Sequence, residues 1–156
     1  MTKKIGSPKS RRAISAATKR LLKLTKGMTH AEAADRLSLG INDVCNLRQG
    51  NSRLSVPMLL KMVRIGRYDP ASVLVGPELK HMSADKSVRG AQQRLINARI
   101  ARLARLRSGE ETARLTGLSV TGAFGLRYRP DANVTLYTVM GFWHAGHDFD
   151  AMIFGG

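Results

Sequence analysis

The chain has 156 residues, one cysteine and a formal net charge of +15, from 26 Lys/Arg against 11 Asp/Glu. A lone cysteine excludes an intramolecular disulfide and a cysteine-built zinc site, and no apolar run reaches the ~18–20 residues that span a bilayer. Few aromatics and many Leu, Ile, Val, Met and Ala favour a helical core.

The charge is segregated. Residues 1–26 hold nine Lys/Arg and no acid, and residues 79–107 hold eight against Asp85 alone. Residues 27–78 are nearly neutral, and 108–156 are slightly acidic. Segregated positive charge points to a polyanionic partner. The stretch also lacks the apolar run of a signal peptide, so the expected location is the cytoplasm, in association with the nucleoid.

In chain order, residues 1–10 read as a flexible basic arm carrying Gly, Ser and Pro. A first helix is expected from Arg11 to Lys26, with Ile14, Ala17, Leu21 and Leu24 on one face. Thr29 and Glu32 have the Thr-x-x-Glu spacing of a capping box that opens a second helix, ending near Leu37. Gly40 caps a third, which stops at Gly50. Val56-Pro57 starts a fourth, running to Ile65, and Ala71–Val75 is a short fifth segment. Gly76-Pro77 marks a boundary. Residues 11–76 thus form one expected domain and 77–84 a linker. A long helix from Asp85 to Arg107 opens a second domain, 85–156, its apolar stripe passing through Val88, Ala91, Leu95 and Arg102 to Leu106.

The second half repeats the first at an offset of 79. Arg20 meets Arg99, Leu24 meets Leu103, Glu32 meets Glu111, Leu47 meets Leu126, Asp69 meets Asp148 and Gly76 meets Gly155. The matches hold one register without a gap, which reads as duplication of a five-helix unit.

Thr29–Gly50, THAEAADRLSLGINDVCNLRQG, has the sizes a helix-turn-helix needs. Ala34 lets the next helix cross closely. Ser38, or Gly117 in the second copy, suits the turn. Leu39 or Leu118 plugs the core, Gly40 or Ser119 caps the second helix of the motif, and Val44 and Leu47 point inward. Ile41, Asn42, Asp43 and Asn46 then face outward, placed for base edges in a major groove about 12 Å wide. The Asn42 amide suits adenine N6 and N7. Asp43 is open to two readings, acceptor from cytosine or first-turn acid on the helix dipole.

AADRLSLGINDVCNLRQG, Ala33 to Gly50, extended to Thr29 and through Pro57–Ile65, resembles the lambda-repressor-like (Cro/repressor, XRE-type) helix-turn-helix family. The resemblance covers residues 11–76 well and 86–155 loosely. It implies an all-α chain of two tandem bundles of about five helices each, whose third helix reads operator DNA. Where the family places a phosphate-binding Gln, this chain has His30, just after Thr29.

Arg48, Gln49 and Arg53 are expected on backbone phosphates, which set position without reading sequence. Lys3, Lys4, Lys9, Arg11 and Arg12 would wrap the duplex. In the second copy, Val120, Thr121, Gly122 and Gly125 would be exposed, Val120 and Thr121 toward thymine methyl groups, with Ser119, Arg127 and Arg129 near phosphates. The second domain could also mediate a homodimer through its aromatic tail.

His144, His147, Asp148 and Asp150 read as a solvated helix end rather than a metal site, and Cys45 as a passive small residue. No catalytic constellation is visible, and nothing in the sequence points to an enzyme, a cofactor or a small-molecule ligand. The expected partner is double-stranded DNA, and the expected role is sequence-specific transcriptional regulation. A non-specific architectural protein and an antitoxin-like interaction module stand as alternatives.

Overall fold

Side-chain caps fix most of the helix starts. A computed structural model describes residues 6–128 and 133–155, and over them it contains ten α-helices and an isolated antiparallel bridge, Tyr68–His81. The helices are α1 Pro8–Leu24, α2 His30–Leu37, α3 Ile41–Gln49, α4 Val56–Arg64, α5 Pro70–Val75, α6 Gln93–Ala104, α7 Gly109–Thr116, α8 Val120–Tyr128, α9 Leu136–His144 and α10 Phe149–Phe154. The chain divides into two units. An N-terminal unit holds residues 12–88, and a C-terminal unit holds 89–155 together with 6–11.

In the N-terminal unit, Ile14, Ala17 and Leu21 of α1 are buried, as their spacing requires. Leu24, expected beside them, is exposed, and buried Thr25 takes the inward place, its hydroxyl donating to the Leu21 carbonyl at 3.0 Å. Thr29 caps α2 by accepting from the Glu32 amide at 3.1 Å, and the Glu32 carboxylate accepts from the Thr29 amide at 3.2 Å. That pair of bonds satisfies two otherwise orphaned donors. Ser55 caps α4, with Pro57 in its first turn, where a missing N–H costs nothing. Arg20 of α1 donates to the carbonyls of Val73 and Leu74 at 3.3 and 2.9 Å, closing the end of α5.

Residues 77–84, expected as a linker, are docked on this unit. The Asp69 amide donates to Lys80 at 2.7 Å, the Met82 amide to Arg67 at 2.8 Å, and the Tyr68 ring stacks on His81. The backbone groups of the α4–α5 loop find their partners in this segment, which is why it does not hang free.

In the C-terminal unit, the helix expected from Asp85 to Arg107 is shorter. Gly90 passes so close to the end of α10 that a Cβ there would lie 1.9 Å from the Phe154 carbonyl oxygen. The chain runs extended through Gln92, and α6 begins only at Gln93. Its buried face is Ile96, Asn97, Ile100, Ala101 and Ala104, not the stripe through Leu95 and Leu106; Leu106 is 75% exposed.

α2, α3 and α5 recur as α7, α8 and α10 at an offset of 79 residues. Two tertiary contacts recur with them. Arg99 donates to the carbonyls of Met152 and Ile153 at 3.2 and 3.0 Å, the equivalents of the Val73 and Leu74 carbonyls that Arg20 bonds at the end of α5. Asn97 of α6 accepts from the Val134 amide at 3.0 Å, where Thr18 of α1 accepts from the Leu54 amide at 3.3 Å. The ungapped register fails in one place. α9 starts at 136 rather than 135, and its burial follows α4 at an offset of 80, Leu59 matching Val139 and Met62 matching Phe142. The loop behind α9 is one residue shorter than that behind α4, which restores the register at α10.

Candidate nucleic-acid interface

The α2–α3 corner is set by backbone conformation. Ser38 adopts the left-handed region at φ 59°, and the Leu39 amide donates to the Ala34 carbonyl at 2.9 Å. The chain thereby leaves α2 sharply, and buried Leu39 seats the turn. Val44 and Leu47 anchor α3 inward, so the opposite face is open. Ile41 is 53% exposed, and Asn42 and Asn46 are exposed beside it. α7 and α8 form the same corner around Gly117 at φ 75°, a conformation that suits Gly and strains most other residues.

Asp43 belongs to the corner itself. Its Oδ2 accepts from the Gly40 amide at 3.2 Å and from Lys61 Nζ at 2.8 Å. The carboxylate caps α3 and holds α4, so of its two sequence readings the first-turn acid fits and a free acceptor for cytosine does not.

Arg48 and His30 form a bridge. Arg48 donates to the Thr25 carbonyl at 2.8 Å and to His30 Nδ1 at 2.9 Å. A guanidinium has only donors, so His30 Nδ1 accepts and the ring proton sits on Nε2. That N–H remains as a donor at the start of α2. Thr29 is exposed, though its hydroxyl is engaged in the cap, whose N–H bond from Thr29 holds the Glu32 carboxyl below the usual carboxylate range. Arg53 is exposed and bonds Ser15 Oγ at 3.2 Å, and Gln49 accepts from Asn51 at 2.9 Å.

The basic arm is only partly an arm. Lys3 and Lys4 lie outside the described residues. Residues 8–10 are helical, because the Ser7 hydroxyl accepts the Ser10 amide and the Ser7 carbonyl accepts the Arg11 amide. Lys9 and Arg12 are exposed on α1, and Arg11 donates to the Gly6 carbonyl at 2.7 Å.

α8 differs from its sequence reading. Val120 (48% exposed) and Thr121 stand open as expected, Gly122 and Gly125 are half-exposed with open space beside Gly125, and Phe124 (44%) and Tyr128 (66%) join them. The spacing 120, 124, 128 was a visible signal for one helix face. Phe124 packs over Gly109, where a Cβ would lie 2.8 Å from the ring. Arg127 stacks 5.8 and 5.5 Å from the Phe124 and Tyr128 ring centroids, a cation–π arrangement. Ser119 accepts from the Gly122 amide at 3.0 Å. Glu111 faces Arg107 at 4.0 Å, while Glu110 stands exposed in the first turn of α7, where α2 has Ala31. Arg129 lies outside the described residues.

His144 and His147 serve different neighbours. His144 Nδ1 lies 3.5 Å from Ser10 Oγ, and His147 Nε2 accepts from Arg107 at 3.2 Å. Partial burial pushes both below the usual histidine value, helped by Lys9 and Arg107 respectively. Cys45 is half-buried on α3.

No protein-family model, curated protein or solved structure matches the chain.

Proposed function

We propose that the chain is a sequence-specific DNA-binding transcriptional regulator of the lambda-repressor-like kind, built from two tandem helix-turn-helix bundles. The observation that carries this reading is the face of α3. Ile41, Asn42 and Asn46 project from a helix anchored by Val44 and Leu47, in a chain of net charge +15. Exposed amides on a rigid helix suit bidentate recognition of adenine. His30 Nε2–H, Arg53, Lys61 and the α1 residues Lys9 and Arg12 suit phosphate contact. The location proposed is the cytoplasm, on the nucleoid.

α8 is proposed as a second reader with a weaker grip on phosphate, because Glu110 adds an acid at the start of α7. Homodimerisation through the C-terminal unit is the alternative role for that surface.

The test is selection of bound duplexes from a random pool, followed by competition. Wild type should prefer the selected duplex, and Asn42→Ala should lose roughly 1–3 kcal/mol of preference at one base pair. If six to ten phosphates are neutralised, affinity should fall roughly 10³–10⁵-fold between about 50 and 200 mM salt. Equal affinity of wild type for selected and random duplexes would refute the reading in favour of an architectural role.

A further inference from the structure

α3 and α8 share a feature that folding does not explain. Each begins, directly after its cap, with a β-branched apolar residue left half in solvent, Ile41 at 53% and Val120 at 48% exposure. The two stand at the same place in the repeated helix order. Neither side chain serves its core, where Val44 and Leu47, or Ala123 and Leu126, do that work. β-Branched side chains are stiff at χ1, so each is a pre-set apolar probe that loses little entropy on contact.

The surroundings suit a polyanion. The only carboxylate on α3, Asp43, is turned to Lys61 and the Gly40 amide, and α8 has no acid and carries Arg127. Among the groups a duplex displays in its major groove, the apolar one is the C5-methyl of a pyrimidine.

Resting on the DNA-binding reading, we infer that Ile41 and Val120 are pyrimidine-methyl readers, each packing against the C5-methyl of a thymine or 5-methylcytosine. α3 adds amide readout through Asn42 and Asn46. α8, with Thr121 and Phe124 beside Val120, presents no side-chain amide and reads mainly by apolar contact. The chain then recognises a composite site whose two halves each carry a methyl group but differ in the hydrogen bonds they require.

The test uses the full-length chain and the duplex enriched from a random pool, resynthesised with deoxyuridine in place of one thymine at a time. This deletes a methyl group and leaves every hydrogen-bonding edge intact. At one thymine in each half, affinity should drop about fourfold, the worth of one buried methyl. Ile41→Ala should abolish the drop in one half and Val120→Ala in the other, with thermal midpoints unchanged because both residues are exposed. Where the enriched duplex carries cytosine at the sensitive place, 5-methylcytosine should raise affinity by the same factor. Tight binding to the enriched duplex with no thymine-to-uracil effect would overturn the methyl assignment while leaving DNA binding standing. A pool that enriches no sequence would overturn both. A Val120→Ala variant that changes the sedimenting mass, with uracil substitution silent in its half, would assign α8 to protein contact and overturn its reader role.

Discussion

Arg99 should be the most stabilising polar side chain in the C-terminal unit. Its Nη1 donates to the carbonyls of Gly90, Met152 and Ile153 at 2.9, 3.2 and 3.0 Å, and its Nη2 to Phe154 at 3.3 Å. α10 has only six residues, so these are much of its C-terminal acceptor set. Hydrogen bonds to a charged donor contribute about 1.5–3 kcal/mol each when buried. Here water can replace part of the loss, and burying the guanidinium has its own cost, since desolvation, with the charge of Arg102, lowers the Arg99 pKa. Arg99→Met keeps the stem and removes the donors, and should cost about 2–3 kcal/mol. Arg99→Lys should recover less than half, because an ammonium cannot fork across four carbonyls. The assay is urea unfolding followed by Trp143, the sole tryptophan, whose ring stacks on Phe149 of α10 at 4.3 Å. A midpoint for Arg99→Met within error of wild type would show that the contacts add nothing and that α10 is held by Phe149, Met152 and Ile153 alone.

Other outcomes follow from the same geometry. Asp43→Ala should cost about 1 kcal/mol, from a helix-end charge and a half-exposed ion pair. It should leave base preference unchanged and tighten binding to random duplexes, and a changed preference at one base pair in competition assays would return Asp43 to the base-reading set. His144 and His147 have folded values below their free value of 6.5, so the folded C-terminal unit takes up protons less readily than the unfolded chain. Their contribution is present above that value and is lost as the pH falls through the lowered ones, so thermal midpoints should drop from pH 8 to pH 5, less so in a double His→Gln variant. Thr29→Ala should cost about 1 kcal/mol by removing the α2 cap, measured by circular dichroism melts.

Much of the helical plan was legible because its boundaries are local chemistry. Thr29, Gly40 and Ser119 act through bonds to residues within three positions, as does Ser108, which accepts from the Glu111 amide at 3.1 Å, and a sequence pattern contains such bonds whole. What was not legible depended on distant atoms. Gly90 falls inside the helix that the pattern predicts from Asp85 to Arg107, but its place is dictated by the Phe154 carbonyl, 64 residues away. Residues 77–84 read as a spacer because their partners, Arg67 and Asp69, lie on the far side of α5. Phe124 carried no sequence reading of its own, because its surface seat depends on the absent side chain of Gly109, fifteen positions back. Asp43 kept two readings until Lys61, from the next helix, came within 2.8 Å.

The extra residue ahead of α9 is given back in the loop behind it, so the flanking helices keep their places. Chain length is therefore negotiable at these two joints, and rigid inside the rods. Of the same joints in the N-terminal unit, 65–69 is clamped to residues 80–82 and buries Tyr68, so a short foreign peptide or a spectroscopic tag should be accommodated with least disturbance at 51–53, ahead of buried Leu54. Grafts there would provide handles on a bundle whose other corners are clamped by caps.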